Sequence, residues 1–510
     1  MRAQRGTGQP VPLLIGDNMN GILDAMDTIA AISTPRGEGG IGIVRVSGAR
    51  AKEILQALFH SPKEQEKALE NRRLTYGVIR NPQSGEEVDE VLAVWMRAPA
   101  TYTGEDVVEI HCHGGNVPLT QTLSLVLDQG ARLADVGEFT KRAFLCGRID
   151  LSQAEAVIDV IRAKTERSHA AAISQLRGEL AAKIRALREE LLEILMLIAV
   201  SLDYSEEETL EESFAEVLGL NKKSDGATII KARNARVYSI LEEVEDLLST
   251  AESGRILREG LSVAIAGKPN VGKSSIMNRL LRESRAIVTE LPGTTRDTIE
   301  ETLNLRGIPI NLVDTAGVRA TTDAIEGMGI ERSREAFQNA DLVLFVLDAS
   351  RELCEEDIQI AKMLAGGAVM VLENKSDLER KIENAQIHVL VATLAKAEKG
   401  RKKEDVPITM RISAATGEGF ETLENELERF VFGTAEAPRG GMVANVRQKN
   451  LLQQAAEALR EAYAALESGE PEELADVDLR RAYERLGEII GETVSEDVLD
   501  AVFSRFCLGK

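Results

Sequence analysis

Gly267-Lys-Pro-Asn-Val-Gly-Lys-Ser-Ser275 stands between the apolar run Leu261–Ala266 and the helical pattern IMNRLL of residues 276–281. The string fits GxxxxGK[ST], in the strand–turn–helix setting that gives this pattern its mechanism. The amides of Asn270, Val271 and Gly272 and the start of the following helix can cradle phosphates. Lys273 can neutralise the β and γ groups, Ser274 can bind Mg²⁺, and Ser275 completes the loop. Further short β-rich runs follow at Ile310–Val313, Leu342–Leu347, Val369–Leu372 and Thr409–Ile412, separated by helical stretches. This alternation predicts a doubly wound α/β module, a P-loop G domain of Ras-like type, over residues 257–434.

Within that module Asp314-Thr315-Ala316-Gly317 closes a second apolar strand, which puts a carboxylate near Mg²⁺ and a glycine amide near the γ-phosphate. Asn374-Lys375-Ser376-Asp377 follows the strand VMVLE. Asp377 can accept hydrogen bonds from both N1 and N2 of guanine, whereas adenine offers it an unmatched edge. Ser413-Ala414 then reads as the loop supporting the base. Four strings in this order indicate a GTPase with GTP as substrate. Where small signalling GTPases place a water-orienting glutamine after DTAG, this chain has Val318, which cannot do that work. The segment Gly293-Thr294-Thr295-Arg296-Asp297 offers Thr295 as a second Mg²⁺ ligand. Glu326, twelve residues beyond Asp314, is a candidate for positioning water.

Outward from the module the texture becomes helical on both sides. Residues 152–201, 232–252 and 448–506 carry apolar positions at helical spacing with charges between them. The economical reading is an insertion: one all-α domain made of residues 147–256 and 435–510, interrupted by the G domain. Residues 25–146 read as an α+β domain, with strands around IAAI and IGIVRVSG, at Val91–Met96 and Val107–His111, and helices near residues 119–128 and 140–145. Residues 1–24 hold no apolar core and read as a flexible extension.

At 510 residues several domains are expected, and 44% hydrophobic against 28% charged residues is ordinary for globular proteins. No apolar run approaches the ~20 residues of a membrane span. Four scattered cysteines suggest reduced thiols and a cytoplasmic setting. The net charge of −22 disfavours non-specific nucleic-acid binding, so any RNA contact must be local or shared with a partner. His111-Cys112-His113 invites a metal reading, which fails because alternate strand residues face opposite ways and no further ligand string completes a shell.

With these residues read, the chain resembles the MnmE family, also called TrmE. The resemblance runs from about Asp27 to Lys510 and rests on DTIAAISTPRGEGGIGIVRVSG, YTGEDVVEIHCHGG, GEFTKRAFLCGRIDLSQAEAV, GKPNVGKSS, IVTELPGTTRD, DTAGVR and the terminal FCLGK. It implies a homodimeric tRNA-modifying GTPase that works with the FAD-containing MnmG on the wobble uridine. It also implies a K⁺ ion in place of an arginine finger, held by Asn270, Thr289, Leu291 and Thr294 within a nucleotide loop that includes Glu290, Pro292 and Gly293. Glu326 matches the family's water-positioning glutamate. Arg45, Glu109, Arg148 and Lys510 match positions that bind a tetrahydrofolate one-carbon carrier, with Arg148 where the family often has lysine. Cys507 lies in FCLGK, where the family places a cysteine important for modification; a small residue ending a helix is the alternative. A different class stays open, a GTP-dependent binding switch for RNA or ribosome assembly that transfers no carbon.

Overall fold

The computed structural model describes residues 27–35, 37–61, 69–203, 210–221, 225–283, 301–313, 336–395, 407–433, 441–506 and 509. Residues 1–24, Thr289–Thr295, Asp314–Gly317, Glu326, Cys507 and Lys510 lie outside them. The chain groups into two compact units: Met1–Ile158 with Gln175–Val244 and Asn450–Lys510, and Asp159–Ser174 with Glu245–Lys449.

The first unit opens with seven strands: β1 (Ile29–Ile32), β2 (Gly39–Ser47), β3 (Phe59–His60), β4 (Thr75–Arg80), β5 (Glu87–Met96), β6 (Val107–Gly114) and β7 (Arg132–Leu133). They form one sheet in the order β3-β4-β5-β6-β2-β1-β7. Every pairing is antiparallel except β1 with β7. Alternation decides the faces. Val44, Val46, Ile110 and Cys112 turn inward against Ile54, Leu55 and Leu58 of helix Ala51–Leu58 and Leu119 and Val126 of helix Asn116–Asp128. Arg45 and Glu109 fall on the opposite face.

The separated helical segments meet in this same unit. Helix Glu179–Asp203 buries Leu180, Ile184, Leu187, Leu191, Ile194 and Ile198, a single stripe at three- and four-residue spacing. It packs along helix Glu472–Ile490, which buries Leu479, Ala482, Leu486, Ile489 and Ile490. Burying each such leucine or isoleucine contributes about 1.5–3 kcal/mol. A second cluster joins Phe144, Leu151 and Ile158 to Leu499, Phe503 and Phe506, so the last described helix packs on the segment that follows the first sheet. No helix of the described residues is long and apolar enough to cross a membrane.

The second unit is built on six strands: β8 (Leu261–Ala266), β9 (Glu301–Leu305), β10 (Ile308–Val313), β11 (Leu342–Asp348), β12 (Val369–Asn374) and β13 (Ile408–Arg411), in the order β13-β12-β11-β8-β10-β9. All neighbours are parallel except β9 with β10. One core lies on each face, as a doubly wound sheet requires: Ile276, Leu280, Leu423 and Leu427 cover one face, and Ala361, Leu364, Leu390 and Leu394 the other. The edge strand β9 has no counterpart in the expected set. Only Leu303 and Leu305 of its sequence ETLNL are buried apolar residues, too short a signal to separate from a loop. Asp159–Ser174 joins this unit through Thr165 Oγ1, which donates to Gly307 O at 2.6 Å, and Ser168 Oγ, which donates to Leu257 O at 2.5 Å.

Candidate nucleotide site

The buried strand β8 delivers the chain into a tight loop, and helix Lys273–Glu283 starts immediately beyond it. Gly272 has φ +102°, and a β-carbon there would sit 2.2 Å from Asn374 Nδ2, so glycine is required by conformation and by space. Asn270 also takes a left-handed φ of +65°, which asparagine tolerates better than most residues. Val271 is buried in the core and anchors the loop from beneath. Ser274 and Ser275 stand exposed at the helix start. Lys273 Nζ donates to the carbonyls of Gly267 and Lys268 at 2.6 and 2.7 Å. Burial pushes its ammonium below the ordinary lysine range, and an anion in the loop would reverse that shift.

The second half of the cradle comes from the ends of β12 and β13. Asn374 is buried; its Nδ2 donates to Val271 O at 2.7 Å and its Oδ1 accepts from the Ala414 amide at 3.0 Å. Its side chain thus fastens the 374–377 loop to both the glycine-rich loop and the 413–414 loop. Lys375 Nζ donates to Asn270 O at 3.2 Å. Asp377 is exposed, and its Oδ1 accepts from Ser413 Oγ at 2.5 Å, which fixes the carboxylate's orientation. The structure therefore brings together Asn270, Val271, Gly272, Lys273, Asn374, Lys375, Asp377, Ser413 and Ala414. Two supports had no visible signal in the sequence. Arg279 donates to the carbonyls of Ala414, Ala415 and Thr416 from beneath the loop. Asp348 receives Lys375 Nζ at 2.6 Å.

The first unit holds a second cluster. Arg45 and Glu109 are cross-strand neighbours in the β2–β6 register, and Arg45 Nε donates to Glu109 Oε1 at 3.0 Å. The Arg45 guanidinium lies 5.7 Å from the ring centres of both Tyr102 and Phe139. Arg148 donates to Tyr102 O at 2.6 Å and lies 5.2 Å from the same tyrosine ring. Arg45, paired with Glu109, and Arg148 thus converge on Tyr102, which spacing along the chain could not reveal. Behind them the buried Arg142 donates to Asp27, Glu105 and Glu138. Burial opposes its charge, but the carboxylates of Glu105 and Glu138 more than compensate and raise its pKa.

In the His-Cys-His string, Cys112 is buried on the core face with burial pushing its thiol up to about 11, while His113 is exposed on the other face and bonded to Asp89 at 2.6 Å. Among the described residues no group of three or more His, Cys, Asp or Glu side chains is arranged to hold a metal ion.

Residues 28–148 match the family model described as GTP-binding protein TrmE N-terminus, and residues 151–507 match that of the MnmE helical domain. The tRNA modification GTPase MnmE of Geobacillus kaustophilus is 48% identical over 487 residues, covering 95% of this chain and 99% of that protein. Its namesake in Alkaliphilus metalliredigens is 46% identical over 486 residues, again 95% and 99% of the two chains. That of Bacillus subtilis is 46% identical over 487 residues, 95% of this chain and 100% of its own. With two family models spanning nearly the whole sequence, and relatives 46–48% identical over 95% of it, the chain belongs to the MnmE (TrmE) family of tRNA modification GTPases.

Proposed function

We propose that the chain is a GTP hydrolase which, as a homodimer and with the FAD-containing MnmG, installs a carboxymethylaminomethyl or aminomethyl group on the wobble uridine of certain tRNAs. The one-carbon unit comes from a tetrahydrofolate derivative. The observation that carries this reading is the convergence of Lys273, Asn374, Lys375, Asp377 and Ser413 on one cradle, in a chain whose relatives are named tRNA modification GTPases.

In this reading the polypeptide divides into residues 25–146, a helical domain of 147–256 and 435–510, and the inserted G domain 257–434. Lys273 exchanges its two carbonyl partners for phosphate oxygens, and Asp377, aimed by Ser413, selects guanine. Ser274 and Thr295 hold Mg²⁺, and the exposure of Ser274 at the helix start supports its part. Asn270, Thr289, Leu291 and Thr294 hold K⁺, and Glu326 positions the attacking water. Bound K⁺ supplies the positive charge that an arginine finger supplies elsewhere when two G domains close face to face. Val318, which cannot orient water, is the sequence feature that favours this over a self-sufficient site.

In the N-terminal domain Glu109 receives the amidine-like edge of a pterin, and Arg45 and Arg148 meet its anionic tail. The Tyr102 ring, with the two guanidiniums 5.7 and 5.2 Å from its centre, supports a flat ligand there. Gly509 packs against Ile32 and Ser33, beside Ala31, the strand partner of Arg45; this supports Lys510 as a third cation. On the sheet face that carries Arg45, Tyr76 lies opposite Leu92 and Leu92 opposite His111, and Ile41 is 63% exposed. An uncovered apolar band of that kind supports self-association through this domain.

Mass analysis of the wobble uridine in tRNA from cells lacking the protein tests the reading. It predicts that the modified uridines disappear and that the wild-type chain restores them, whereas a chain with Glu109→Gln restores them poorly. Unchanged wobble uridine would leave the binding-switch alternative standing in its place.

A further inference from the structure

The structure assigns a role to Asp348: we propose that it is a positioning residue for guanine-nucleotide binding, holding Lys375 across to the glycine-rich loop and so tying the base-recognition loop to the phosphate loop. The inference rests on residues 374–377 being the guanine loop.

Asp348 ends the central strand β11, and the parallel register sets it directly beside Asn374 of β12. Its side chain is 5% exposed. Oδ2 accepts from Lys375 Nζ at 2.6 Å, while Oδ1 accepts from Ser350 Oγ at 2.6 Å and from the Ser350 amide at 3.0 Å. The exposed Arg351 is a more distant third neighbour, 3.6 Å away. Burial would raise the pKa of this carboxyl, but Lys375 and Ser350 hold it below the ordinary aspartate range, so it stays charged. Lys375 itself has φ +65°, a conformation unfavourable for lysine, and its ammonium is shared between Asp348 and the carbonyl of Asn270, which is also left-handed at φ +65°. Two strained backbone positions, one in each loop, are therefore linked by one ammonium that a buried anion holds in place. Removing the anion leaves Lys375 a single carbonyl and frees it to turn toward water. The loops then close on a nucleotide at greater entropic cost.

Release of a fluorescent GDP from the full chain tests the proposal. Asp348→Asn keeps the shape and loses the charge; it is expected to speed release about tenfold and raise the KM for GTP similarly, with kcat at saturation within about twofold. Lys375→Ala is expected to do likewise, and the double variant to release GDP no faster than Lys375→Ala alone. Asp348→Glu recovers part of the loss. Wild-type release by Asp348→Asn, or effects of the two substitutions that simply add, overturns the proposal. Melting without nucleotide shows whether Asp348→Asn folds. If it does not, Ser350→Ala, which removes one bond to the carboxylate, is expected to give a smaller acceleration, and wild-type release by that variant is then the contrary result. Asp377→Asn, assayed for a switch toward xanthine nucleotides, tests the guanine-loop assignment separately.

Discussion

The cradle at the ends of β8, β12 and β13 and the cluster around Tyr102 are assembled in opposite ways. In the first, short strings of consecutive residues lie at strand ends, and side chains such as Asn374 and Lys375 fasten one loop to a backbone carbonyl of the next. In the second, isolated side chains from β2, β6 and the two segments holding Tyr102 and Arg148 meet on a sheet face, and no two of them are adjacent in sequence. A site built from loops at strand ends is written in contiguous residues. A side-chain-built site is written in the fold.

If the two sites are separate, substitutions should sort cleanly between them. Lys273→Ala breaks the comparison most severely. It should lower kcat/KM for GTP by at least about 100-fold, the scale of losing a charge at a transferring phosphoryl group, while folate titration stays at its wild-type affinity. Asp377→Asn should weaken GTP binding by about 100-fold, since a donor replaces an acceptor opposite N1 and N2 of guanine; competition between guanine and xanthine nucleotides reads this directly. Glu109→Gln should cost about tenfold in folate affinity by calorimetry and leave GTP hydrolysis unchanged, because a neutral amide replaces the carboxylate that would meet the pterin edge and that pairs with Arg45.

A control outside both sites sharpens the contrast. Leu191→Ala empties a position in the helical stripe and should cost about 2–5 kcal/mol in thermal or denaturant unfolding, with both affinities preserved at temperatures where the protein is folded. The smallest effect concerns His113. The hydrogen bond and charge of Asp89 raise its pKa above the ordinary value of 6.5. That interaction contributes stability fully below about pH 6.5 and loses it as pH rises through the raised folded value. The melting temperature should thus fall slightly between pH 6 and 8, and His113→Gln should flatten that trend.

The same contrast explains which features of the fold are legible in the sequence. The doubly wound sheet was legible because its buried parallel strands are continuous apolar runs, as in LVLFVLD of β11, and because each nucleotide string sits at a strand end. The helical segments were legible through their 3.6-residue period. The strand β9 was not, since a half-buried edge gives only two apolar positions. Arg45, Glu109 and Arg148 were reached through family resemblance, as a register of one strand against another leaves no mark in spacing. Asp348 was hidden for another reason: an aspartate ending an apolar strand looks like the first residue of a turn, and only the register beside Asn374 gives it a partner.

In the proposed function a monovalent cation, bound when two G domains meet, completes the GTP-hydrolysing site of this chain. Steady-state hydrolysis by the full protein in matched K⁺ and Na⁺ buffers, with Asn270→Ala alongside, tests it most directly. The prediction is fast turnover in K⁺, little in Na⁺, and loss of the difference in Asn270→Ala; equal rates in both salts, unaltered by that substitution, would contradict it.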